Sequence, residues 1–221
     1  MTCYLAEPPG TPRGGIVMLA EIFGVNAAMR QAAEDFAAEG YLVVVPDLYW
    51  RVAPGVALGF GDADRARAIA LWQAYDVQRG IEDVLSTAYW LRAERHIDPA
   101  LLGFGLGGQL AVLAAGRAHP RAVSILFAIR MEETLAELRA LTCPIDIHVG
   151  DQDPLCPSPT RAAIKRAIGD RPNAHMYVYT DARHGFFHPQ RGGAFDKEAA
   201  AIAKTRTLRA FQSAFAQVTI T

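Results

Sequence analysis

The chain has 221 residues, a formal net charge of −1, 51% hydrophobic and 20% charged residues, the balance of an ordinary globular domain with a sizeable core. No basic surplus points to nucleic acid or an anionic membrane surface as a partner. No apolar run reaches the roughly 18 residues of a membrane span, and "MTCYLAEPPGTPRGG" lacks the charged and apolar regions of a secretion signal. Cys3, Cys143 and Cys156 are an odd set without metal or redox spacing, so a reduced cytoplasmic location is the expectation.

Taken in chain order, short apolar runs alternate with longer helical patterns. "GGIVMLA" (14–20), "YLVVVPD" (41–47), "LLGFG" (101–105), "AVSILFA" (122–128), "PIDIHVG" (144–150) and "HMYVYTD" (175–181) read as strands. Between them helices are expected near 26–39, 62–94, 106–118, 131–140, 158–169 and 194–217. Near-continuous apolar strands suit a parallel sheet covered on both faces, and the alternation implies a single α/β domain over residues 1–221. The segment "WRVAPGVALGFGDA" (50–63) is a long, polar-poor loop, expected as a lid or a pocket wall.

In such sheets ligands sit beyond the carboxyl ends of the strands. Glu21, Gly105, Asp153 and His184 each follow a strand. "GFGLGG" (103–108) has the frame G-x-Nu-x-G of a nucleophile elbow leading into a helix. Gly103, Gly105 and Gly108 also fit a dinucleotide fingerprint, but the acidic residue that should follow about 20 residues later is absent after "SILFAIR". Glu21 ends the first core strand, where Asn26 is a plausible cap for the next helix and a carboxylate more often serves a pocket. Asp153 and His184 complete the order nucleophile, acid, histidine, in which the acid orients the imidazole. Asp151 and His188 are competitors for those two places.

The segments "LAEIFGVNAAMR", "PDLYWRVAPG", "LWQAYD", "GFGLGGQLA", "GDQDPLCPSPTR" and "ARHGF", in this order, resemble the dienelactone hydrolase (carboxymethylenebutenolidase) family over residues 15–217. The resemblance implies the α/β-hydrolase fold, a Cys–His–Asp triad and the opening of dienelactone to maleylacetate in the breakdown of chlorinated aromatics. It places the active-site Glu on Glu21, the triad acid on Asp153 and the triad histidine on His184. It places the oxyanion-hole amides on Ile22 and Leu106, and a substrate-binding Arg on Arg65, which by itself is also an ordinary helix charge beside Asp62 and Asp64.

Three positions depart from the family pattern. The cysteine nucleophile falls on Gly105, a second carboxylate-binding Arg on His188 and an active-site Tyr on Ile69. Without a thiol no thioester forms at that position. His188 replaces a permanent clamp by one that would bind anions only when protonated. Arg65, Ile69 and Trp72 share a helix face, so the pocket becomes greasier and the substrate different or less anionic.

The expected function is therefore water-mediated or weak hydrolysis of a small ester, lactone or related carbonyl compound by a monomer or weak oligomer. No cofactor or metal is expected. The alternatives are an isomerase or lyase that shuttles protons between Glu21 and His184, and a non-catalytic binder of a small ligand.

Overall fold

The computed structural model describes residues 1–216. Seven strands form one sheet: β1 (Cys3–Ala6), β2 (Gly14–Leu19), β3 (Tyr41–Pro46), β4 (Pro99–Phe104), β5 (Val123–Leu126), β6 (Ile145–Gly150) and β7 (Ala174–Tyr179). Their spatial order is β1-β3-β2-β4-β5-β6-β7. Among the described residues the β1–β3 pair is antiparallel and the other strand pairs are parallel. Strand β1 was not anticipated, because four residues with one fully buried side chain carry almost no apolar pattern.

Among the described residues seven helices flank the sheet: α1 (Ala27–Ala38), α2 (Asp62–Gln73), α3 (Val77–Arg95), α4 (Leu106–Ala118), α5 (Leu135–Ala140), α6 (Ser158–Ile168) and α7 (Lys197–Ala216). The period of two along β2 splits the core into two layers. Val17 and Leu19 face α3, α4 and α6 with Leu91, Leu110 and Ile164. Ile16 and Met18 face α1 and α7 with Phe36 and Phe211.

The structure corrects three boundaries. The helix expected over 62–94 is two helices, because the Asp76 carboxylate caps α3 by accepting from the N–H groups of Gln78 and Arg79. The pattern at 131–140 divides into a 3₁₀ turn (Met131–Glu133) and α5. The pattern at 194–217 starts later, since a 3₁₀ segment runs to Ala194 and Asp196 accepts from the Ala199 N–H at the start of α7; residue 217 lies outside the described residues.

The 50–63 loop does not line the cavity at the strand ends; its Arg51 and Val52 line a separate, smaller cleft beside Tyr75 and Arg79. It turns back on the β2–α1 connection through a Gly24–Ala57 bridge. Val56 and Leu58 pack with Phe23, Tyr49 and Ala68 into a small core of their own. The loop therefore supports the pocket from behind.

Candidate active site

All four strand-end residues meet at the carboxyl edge of the sheet. Glu21 lies two residues past β2, Gly105 one past β4, Asp153 three past β6 and His184 five past β7. Three of them line one cavity of about 340 Å³, with Asp153 buried behind His184. A larger cleft, of about 450 Å³, opens beside Asp146 and His175 at the amino ends of β6 and β7, away from these strand ends.

The elbow is built from backbone proximity. A Cβ at Gly103 would strike the Gly107 carbonyl, and a Cβ at Gly107 would strike the Leu19 carbonyl. Strand and helix can approach this closely only without those side chains. Gly105 sits at φ 53°, ψ −114°, a conformation costly for L-residues. Its N–H donates to the Leu126 carbonyl, and its carbonyl accepts from the Ile129 N–H, which ties the turn between β4 and α4 to the end of β5. A side chain at 105 would project toward Glu21. Its Cβ would stand 3.4 Å from Glu21 Cγ and 3.7 Å from Oε2, which is ordinary contact.

His184 pairs through Nδ1 with Asp153 Oδ2 at 2.9 Å. The Asp153 side chain is fully buried, and its Oδ1 accepts from the Leu155 N–H at 2.8 Å. Asp151 makes no such bond; its carbonyl accepts from Arg161 instead. The arrangement fixes the ring and leaves Nε2 unengaged among the described residues while His184 lines the cavity. Phe127 braces the ring edge-on, with centroids 5.2 Å apart. The N–H groups of Ile22 and Leu106 donate to no acceptor among the described residues, and both residues line the cavity. Two free amides beside a fixed imidazole can hold a developing oxyanion.

Arg65, Ile69 and Trp72 line the opposite wall from α2. His188 does not reach the cavity lining. It is 1% exposed and packed among Phe104, Phe127 and Phe187. Burial pushes its pKa down to about 4, against an upward pull from Glu21. Its Nε2 lies 3.4 Å from Glu21 Oε1 without hydrogen-bond geometry. A neutral, enclosed imidazole cannot act as the pH-dependent anion clamp expected from the sequence.

The cation instead comes from Arg191, three residues later. Its guanidinium is ion-paired with Glu21 and lies over the rings of Phe23 and Phe60, 4.9 and 4.5 Å from their centroids. A Cβ on Gly185 would come within 2.7 Å of Arg191 Nε, so the glycine after His184 makes room for this arm. Sequence reading missed Arg191 because it sits in the irregular stretch "HPQRGG" with no periodic signal. Arg130 and Glu132, also unforeseen, line the cavity near α5, where Arg130 pairs with Glu133 at 2.9 Å and lies 5.7 Å from the Trp72 ring centroid.

Comparison with known proteins agrees with this geometry. A family model described as "Dienelactone hydrolase family" matches residues 1–215. A carboxymethylenebutenolidase of Pseudomonas putida is 34% identical over 207 residues, covering 92% of this chain and 87% of that one. A putative carboxymethylenebutenolidase of Azospirillum brasilense is 32% identical over 215 residues, covering 96% and 92%. Among solved structures, a putative dienelactone hydrolase from Klebsiella pneumoniae superposes with a TM-score of 0.78 at 24% identity, covering 97% and 92%. A likeness at that identity establishes the α/β-hydrolase fold alone.

Proposed function

The chain belongs to the dienelactone hydrolase family, and from that premise we propose that it hydrolyses a small ester or lactone with a water molecule in the nucleophile's role. The carrying observation is the His184–Asp153 pair, whose free Nε2 faces a cavity floored by Gly105. His184 takes a proton from a water held over Gly105. The resulting hydroxide attacks the carbonyl carbon, and the carbonyl oxygen becomes an anion held by the amides of Ile22 and Leu106. Collapse expels the alkoxide or enolate, which recovers the proton from His184. Enzymes that lose a triad member keep ~10³–10⁴-fold catalysis over water through their oxyanion hole and binding alone, so turnover is expected to be slow.

The proton-shuttling alternative is less well supported. Glu21 would have to act as a mobile base, yet its carboxylate is held by buried Arg191. The test compares dienelactone and aryl-ester cleavage by the protein and by Gly105→Cys. Hydrolysis by the first, and faster hydrolysis with a trapped acyl-enzyme in the second, supports the reading. Failure of both to cleave any ester or lactone ends it.

A further inference from the structure

Strand β7 forms one edge of the sheet. The carbonyls of Asn173 and Tyr179 accept from the N–H groups of Ile145 and Asp151, so the odd-numbered residues of β7 turn their backbone groups toward β6. Ala174, Met176 and Val178 turn theirs outward. Among the described residues the N–H and C=O groups of Met176 and Val178 have no partner.

Proteins guard such edges with short strands, Pro, charged side chains or bulges. The opposite edge is guarded in this way: β1 has four residues and runs into Glu7, Pro8 and Pro9. Strand β7 is not. Its six residues, "AHMYVY", include no Lys, Asp, Glu or Pro, and they pair with β6 residue for residue without a bulge. An unguarded edge is a template for another strand.

The surroundings of β7 select that strand. Helix α7 packs over β6 rather than β7, and two clefts, of about 450 and 330 Å³, open along the seam between α7 and β7. The first lies at the amino end of β7, where Arg209 stands beside Asn173 and His175. Asp146 in that cleft is already paired with His175 at 3.2 Å. The second lies at the carboxyl end, where Asp196 and Glu198 stand beside Val178 and Ile202. Val178 and Ile202 are exposed apolar side chains. Antiparallel pairing of β7 with the same strand of another copy sets the carboxyl end of each beside the amino end of the other. The acidic end of one seam then meets the basic end of the other, twice over, which is the charge complementarity of a specific contact.

We propose that a second copy of this chain docks on β7 about a two-fold axis near Met176, joining two seven-stranded sheets into one. Met176 exchanges backbone hydrogen bonds with the partner's Met176, and the Val178 N–H donates to the carbonyl of the partner's Ala174. Glu198 faces the partner's Arg209. Such a contact uses the same patch on both copies, so association stops at the dimer.

Sedimentation equilibrium of the whole protein between about 1 and 100 μM is expected to show monomer and dimer with no larger species. Val178→Pro removes an outward N–H that the fold does not use and is expected to weaken the dimer about tenfold or more. Glu198→Arg and Arg209→Glu each set like charges together and are expected to weaken it about tenfold, whereas the double variant exchanges the charges and returns to within about threefold of the parent. Circular dichroism establishes that each variant is folded; if Val178→Pro does not fold, the charge exchange decides alone. A parent that stays monomeric at about 100 μM overturns the proposal. So does a dimer that a folded Val178→Pro leaves intact, one that neither charge reversal weakens, one that the double variant does not restore, or growth to species beyond the dimer.

Discussion

The guanidinium of Arg191 is paired with the carboxylate of Glu21, and that carboxylate overhangs Gly105. Both side chains are about 95% buried. Taking one partner from a buried pair leaves an uncompensated charge, which typically costs 3–5 kcal/mol. Arg191→Met is therefore expected to destabilise the protein by about 3 kcal/mol in urea unfolding. The double variant Arg191→Met/Glu21→Gln should recover most of that loss. Equal stability of the single variant and the parent would show that the pair contributes nothing.

His184→Asn and Asp153→Asn separate chemistry from folding. Each removes the base or its orientation while leaving the cavity walls in place. Ester cleavage is expected to fall ~10²–10⁴-fold in kcat, with KM and thermal midpoint close to those of the parent. A kcat unchanged in both variants would remove His184 from the reaction.

The glycines of the elbow should divide sharply. Gly107→Ala drives a methyl group into the Leu19 carbonyl, and a loss of about 3 kcal/mol or failure to fold is expected. Gly105→Ala meets only ordinary contacts and suffers the positive φ of 53°, at a cost of about 1–3 kcal/mol. Comparing soluble yield and denaturant midpoints checks the order; a milder effect at 107 than at 105 would contradict the elbow geometry.

Acid should weaken the fold through two buried histidines. Burial holds His188 down to about 4 and His148 to about 3. In the unfolded chain a histidine takes up its proton near 6.5. Below that value the unfolded state binds protons that the native state refuses, so stability is full above it and declines as pH falls toward 4. Between about pH 7 and pH 5 each such group is worth on the order of 2 kcal/mol. His188→Gln is expected to flatten the urea-midpoint profile in this window. A profile identical to the parent's would place the acid sensitivity elsewhere.

What the sequence revealed follows from which interactions leave a periodic trace. Buried parallel strands are almost wholly apolar, so β2 to β6 stand out, and strand-end residues could be read from their order. Gly103 and Gly107 announced close backbone packing. The weakly patterned β1 and the break at Asp76 were obscured because a cap or an edge pairing is a local polar event inside a longer pattern. Arg191 was invisible for another reason. Its position depends on the path of the loop after His184 and on the rings of Phe23 and Phe60, which are distant in sequence. Position 188 looked like the place for a cation only while that path was unknown.

Helix α2 buries a single residue, Ala68, although it supplies Arg65, Ile69 and Trp72 to the cavity wall. Most of its outward and cavity-facing positions can therefore change without opening a hole in the core. On the proposed hydrolase reading, the chemistry stands on strand ends that tolerate little and the choice of substrate on a helix face that tolerates more. On that reading, relatives built on this scaffold would change substrate by rewriting the exposed face of one short helix, while Ala68, Leu71 and Trp72 keep it anchored to the core.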